Sequence, residues 1–285
     1  MMRMLNRVLQ LGLWALALSS LTAALACYVS YRRDCARLAN VASDVTAGLN
    51  VPDDRVSALL EWVHGLHGSA GNRGRFLLTS MRATPLQVIE SGGDCADKSR
   101  LLYALLRESG MSATMALCFK ADSNEPVHTF VEVALGAGCQ MAVDPAFNLF
   151  FPKPDETGYY GLLDLRKDPA ILVRRVETIC REIPTQCREQ YYMRPADGYT
   201  RASTINWNKN AVLRLTHHLL HSVLGDEVYR LRRPAVIEEP KLFVAALCVV
   251  SAGACLMVLR VARRRATRKI VGFRIAARRP LPTRA

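Results

Sequence analysis

The chain has 285 residues, half of them hydrophobic, and a formal net charge of +13. That length allows one good-sized domain or two small ones. The charge suggests a nucleic-acid partner until it is located: residues 28–240 hold 25 basic and 25 acidic side chains, so the whole excess lies in 1–27 and 241–285. No basic stripe with interleaved aromatics remains in between, which excludes nucleic acid as the expected partner.

Taken in chain order, no charged residue occurs between Arg7 and Arg32, which predicts a transmembrane helix over 1–31. The same stretch also fits a secretory signal, with the small residues "ALA" at 24–26 and cleavage before Cys27. Both versions export the central residues of the chain. His64 and His67, in "EWVHGLHGSAGN", sit near a helix end and read as solvated caps rather than ligands.

Residues 91–106, "SGGDCADKSRLLYALL", raise the first chemical question, because a cysteine stands between two acidic residues at the head of an apolar run. Gly92 and Gly93 interrupt the preceding segment, and Leu101, Leu102, Leu105 and Leu106 recur at helical spacing. Asp94 is a good N-cap and Asp97 falls at N3, so the helix is expected to begin at Cys95. There the unpaired N–H groups and the positive end of the helix dipole favour a thiolate. The carboxylates of Asp94 and Asp97 oppose it, so a nearby proton acceptor is needed.

"VHTFVEVAL" at 127–135 alternates with the period of a strand, and "CQMAVDP" at 139–145 reads as its return. An odd-length loop such as Gly136 to Gly138 sets even-numbered residues opposite even-numbered ones. His128 and Asp144 then share a face, directly opposite or one diagonal apart. A two-residue loop would separate them.

A helix-start cysteine, a strand histidine and an aspartate on the next strand, in that order, resemble the motif blocks of the transglutaminase-like superfamily: "GGDCADKSRLLYALLRESGM", "HTFVEV" and "VDP". The resemblance covers about residues 56–150. It implies an α+β, papain-like core with the cysteine helix packed on an antiparallel sheet. It also implies Cys95 as nucleophile, His128 as general base and Asp144 as its orienter. The family often carries Trp two residues after the histidine, where this chain has Phe130. A backbone N–H at Cys95 would serve the oxyanion, with Gln87 a candidate second donor.

Beyond residue 154 the signals weaken. "DPAILVRRVETICREI" and "NAVLRLTHHLLHSVLGDEVYRL" read as amphipathic helices, and "YYMRPADGYTRASTINWNK" as an aromatic, polar stretch fit either for a cleft wall or for an ordinary loop. His217 and His221 have helical i, i+4 spacing, but no acidic residue completes a zinc motif, so no metal and no cofactor is expected. Of nine cysteines, Cys180 and Cys187 are close enough to close a small loop, and the reduced state fits equally. "RRPAVIEEP" reads as a tether to the uncharged stretch Leu242 to Leu259, and "RVARRRATRK" after it sets the C-terminus in the cytoplasm.

The expected organisation is therefore a helix or signal at 1–31, a catalytic core at 32–154, a helical extension and tether at 155–240, a transmembrane helix at 241–260 and a basic tail at 261–285. These readings leave two function classes. One is an outward-facing thiol peptidase or amidase of the cytoplasmic membrane, acting on a protein, peptide or amide-containing envelope substrate, with transfer to an amine as its variant. The other is a non-catalytic module that binds or organises envelope components.

Overall fold

The computed structural model describes residues 2–66, 76–77, 81–121, 125–136, 138–184 and 189–277. His67, expected as a solvated cap, and Cys187 lie outside them. The helices and strands in chain order are α1 (Met2–Val45), α2 (Pro52–Gly65), α3 (Pro85–Ser91), α4 (Cys95–Glu108), β1 (Ser112–Phe119), β2 (Pro126–Gly136), β3 (Cys139–Asp144), β4 (Leu149–Phe150), α5 (Leu162–Lys167), α6 (Ala170–Glu182), α7 (Glu189–Tyr192), α8 (Ala196–Tyr199), α9 (Ala211–Leu224), α10 (Ala235–Glu238) and α11 (Pro240–Ala277). A 3₁₀ helix, Gly225–Arg230, comes after α9. The chain divides into two units, residues 32–240 and residues 1–31 with 241–285.

In the second of these units, the parts of α1 and α11 that it contains run antiparallel. Ala17, Ala252 and Cys255 are buried between them, and Lys241 donates to Ser30 Oγ at 2.8 Å. Small side chains let two apolar helices approach closely. Both helices are long and apolar enough to cross a membrane.

The other unit is built on one antiparallel sheet in the order β1-β2-β3-β4. Odd-numbered side chains (Met115, Val131, Val133, Met141, Val143) meet α2 and α4 in one core. Even-numbered ones (Ala116, Cys118, Phe130, Ala142) face a second core with α5, α6 and Tyr199. Residues 155–240 thus supply a second layer rather than an appendage. Glu132, buried on this face, accepts from Leu162 N–H at 2.8 Å and pairs with Arg230 at 2.9 Å. The outer edge of β1 is closed by Ser203, which exchanges two backbone hydrogen bonds with Leu117.

α4 is the centre of the unit, with ten of its fourteen residues buried. Its polar side is clasped by the stretch expected as a tether: Arg100 Nε donates to Glu238 O at 3.0 Å, and Arg107 lies 3.8 Å from the buried Glu239. Cys180 is disulfide-bonded.

Candidate active site

The local structure around Cys95 is set by its neighbours. α3 opens on a capping box between Thr84 and Gln87 and ends at Gly92, whose φ of +71° is costly for any residue with a Cβ. At Gly93 an added Cβ would sit 2.5 Å from Asp97 Cβ, so the turn into α4 closes only over glycine. Asp94 then caps the helix, accepting from Asp97 N–H at 3.0 Å, and Cys95 is the first helical residue, as the spacing predicts.

The flanking carboxylates are neutralised by cations. Arg82 reaches Asp94 at 2.9 Å and Arg100 reaches Asp97 at 3.2 Å. Burial raises the Asp94 pKa, but the Asp97 N–H and Arg82 outweigh it and hold the carboxyl below its ordinary value. Asp97 shifts upward, through burial and the neighbouring Asp94 charge. Gln87 turns its carbonyl oxygen back onto Thr84 N–H at 2.9 Å, so that end of its side chain serves the cap of α3.

The hairpin reaches the expected parity by an unexpected route. Gly136 pairs with Cys139, leaving a two-residue connection, which alone would put His128 and Asp144 on opposite faces. A β-bulge between Ala134 and Gly136 inserts one residue and restores even opposite even: Ala134 faces Gln140 and Glu132 faces Ala142. Continued past the last pair, Val131 and Val143, this register sets Asp144 across from Phe130 and one diagonal from His128.

The side chains close that diagonal. His128 Nε2 hydrogen-bonds Asp144 Oδ2, and Cys95 lies near enough to the same imidazole to act on its charge. The first turn of α4 therefore meets the end of the sheet at His128. Burial lowers the histidine pKa, but the Asp144 carboxylate and then the Cys95 sulfur more than reverse this and push it up to about 10. The imidazolium is the favoured form at neutral pH.

Asp144 is fully buried and fully used. Oδ1 accepts from Ala146 and Phe147 N–H at 3.0 and 3.3 Å, and Oδ2 also accepts from the Tyr199 hydroxyl. Tyr199 was not singled out by the sequence. It comes from α8, 55 residues after Asp144, inside the aromatic stretch read as wall or loop. Burial and the Asp144 charge push its phenol well above its ordinary range, so it stays a neutral donor. Phe147, 5.0 Å from the His128 ring, and Phe130, 5.3 Å from Tyr199, wall the site. Opposite His128 on β1, Cys118 is fully buried, and burial together with Asp144 and Cys95 pushes its thiol well above the ordinary range.

His64 Nδ1 donates to Pro145 O at 3.1 Å, and its own carbonyl accepts from Lys98 Nζ at 2.8 Å. It ties α2 to the residue after Asp144 and is not a free cap.

Residues 39–145 match the family model of the transglutaminase-like superfamily. The chain carries a transglutaminase-like domain, of the mixed helix and antiparallel-sheet class that the motif blocks imply. No curated protein and no solved structure matches the chain. The matched stretch stops one residue past Asp144, so Tyr199 lies outside it.

Proposed function

We propose that the protein is a membrane-anchored thiol hydrolase that cleaves amide bonds through Cys95, His128 and Asp144. The observation that carries this reading is the hydrogen bond from His128 to a buried, fully satisfied Asp144, with Cys95 at the start of α4 near enough to raise the imidazole's pKa. A thiolate paired with imidazolium attacks an acyl carbon without a preceding proton transfer. The sulfur adds to the carbonyl carbon, and the oxyanion faces the Cys95 N–H, one of the first-turn donors that a helix leaves unpaired. His128 then gives its proton to the leaving amine, the C–N bond breaks, and a thioester remains on Cys95. Water gives a proton to His128 and adds its hydroxyl to the thioester carbon, the C–S bond breaks, and the acid leaves with the Cys95 thiolate and the imidazolium restored. Asp144 holds the ring so that one nitrogen always faces the sulfur, and Tyr199 holds Asp144.

The reading extends to location. Arg260, Arg263 and Arg264 come after the apolar half of α11, and by the positive-inside rule they keep that end cytoplasmic, leaving residues 32–240 outside the cytoplasmic membrane facing an envelope substrate. Intact membranes labelled with an acyl-directed thiol probe test the chemistry: labelling of wild type, lost in both Cys95→Ala and His128→Ala at equal protein levels, supports it. Labelling that survives His128→Ala removes the activated-thiol premise. A reporter active only outside the cytoplasm, fused within 155–240 and after Ala285, should work at the first position and fail at the second.

A further inference from the structure

A second cleft lies on residues that the proposed hydrolysis does not use. It measures about 220 Å³ and is lined by the end of β1 and the two residues after it, by Arg166 of α5, by Arg201, Ser203 and residues 205–208, and by His217 and Tyr229. Three of its lining side chains, Lys120, Arg166 and Arg201, are cations, and among its described lining residues there is no carboxylate. None of the three makes an ion pair among the described residues.

The two arginines are fixed in place, and although Arg166 feels the charge of Asp226, that carboxylate does not line the cleft. Arg166 donates from Nη1 to Ala202 O and lies over the Tyr229 ring, 3.5 Å from its centroid. Arg201 donates from Nη1 to Ala121 O at 3.0 Å. Each donates to a neutral carbonyl, and Arg166 also interacts with Tyr229, which orients the guanidinium and still leaves N–H groups for a ligand.

An independent observation points to a ligand. Trp207 is 6% exposed and lines the cleft, and its Nε1–H has no hydrogen-bond partner among the described residues. The His217 ring, 5.4 Å from Trp207, leaves its buried Nε2 unpartnered as well. A buried indole N–H left unpaired costs free energy that a bound acceptor recovers. Three cations and a buried donor with no described acid among them fit a doubly charged oxyanion.

We propose that this cleft binds a phosphoryl group, carried by a soluble phosphate monoester or by a lipid headgroup. The assignment does not depend on the chemistry at Cys95.

The test uses the full chain in phosphate-free detergent, titrated calorimetrically with glycerol 3-phosphate at constant ionic strength. A parallel arm uses mixed micelles containing phosphatidic acid. Saturable binding in either arm, weakened about tenfold or more in Arg201→Gln and again in Lys120→Gln, is expected for charge-assisted contacts. Tighter binding in the phosphatidic acid arm assigns a lipid headgroup, and equal or tighter binding of glycerol 3-phosphate assigns a soluble monoester. With Trp14→Phe and Trp62→Phe also in place, the same titration should change Trp207 emission over the same concentration range. Absence of saturable binding in both arms, binding unchanged by both substitutions, or equal binding of sodium malonate overturns the assignment.

Discussion

The two polar sites of residues 32–240 are built on opposite principles. At Asp144 every carboxylate oxygen is occupied, Oδ1 by two backbone N–H groups and Oδ2 by His128 and Tyr199. At the basic cleft the cations face no described lining acid and a buried indole N–H has no described partner. A fully satisfied buried anion is a preorganised part: it holds a neighbour's geometry and need not move during reaction. Donors with no described acceptor are where the proposed phosphoryl ligand makes its contacts. The contrast teaches where each site gets its free energy, the first from the fold and the second from a ligand.

The largest effect that can break this contrast is at the nucleophile. Cys95→Ser should lower kcat/KM for an amide substrate by on the order of 10⁶, since a hydroxyl in the same place is far harder to deprotonate. Asp144→Asn should cost less, on the order of 10⁴, because the misoriented imidazole still accepts a proton part of the time. Thermal unfolding of each variant separates lost chemistry from lost packing. Equal activity of wild type and Cys95→Ser would leave only the binding module.

Next in size is the support from α8. Tyr199→Phe removes a donor from a buried carboxylate and should cost about 1–3 kcal/mol of stability, with a fall in kcat larger than any rise in KM. Gly198→Ala acts one residue away: its Cβ would meet Cys118 Cβ at 2.8 Å. Overpacking of this kind costs about 1–3 kcal/mol, and displacement of α8 should lower kcat in step with Tyr199→Phe. Wild-type kcat in both variants would show that Tyr199 does not position Asp144.

The pH dependence sharpens the same point. The His128 pKa is raised in the fold from 6.5 to about 10. Its contribution to stability is therefore fully present below the unfolded value and is lost as pH rises through about 10. Activity that needs the imidazolium should persist through neutral pH and fall on a basic limb near pH 10. A basic limb near 6.5 would mean that the ion pair does not form.

The smallest effect belongs to the cleft. Glycerol 3-phosphate at ten times its Kd should stabilise the protein by about 1.4 kcal/mol, a rise in Tm of a few degrees, and Cys95→Ser should show the same rise. A rise confined to the wild type would tie the two sites together.

What the sequence determined by itself was local. Asp94 and Asp97 at cap spacing set the start of α4, because a cap bonds only three residues on. The alternation across 127–135 and 139–145 set the strands, and the order of Cys95, His128 and Asp144 marked the family. Two apolar, uncharged stretches marked the helices able to cross a membrane. The shared face of His128 and Asp144 was legible as a condition on parity, but its cause was not. The connection is two residues long, and only the bulge between Ala134 and Gly136 turns the parity back. Nothing in "VALGAGC" distinguishes a bulge from a longer loop, since both leave glycines at the turn. Tertiary structure alone decided that Tyr199 completes Asp144, that residues 232–240 lie against α4, and that Lys120, Arg166, Arg201 and Trp207 line one cleft. These contacts join residues far apart in the chain. Each side chain is chosen by the volume and charge of a distant neighbour, and no periodicity or cap rule carries that information along the sequence.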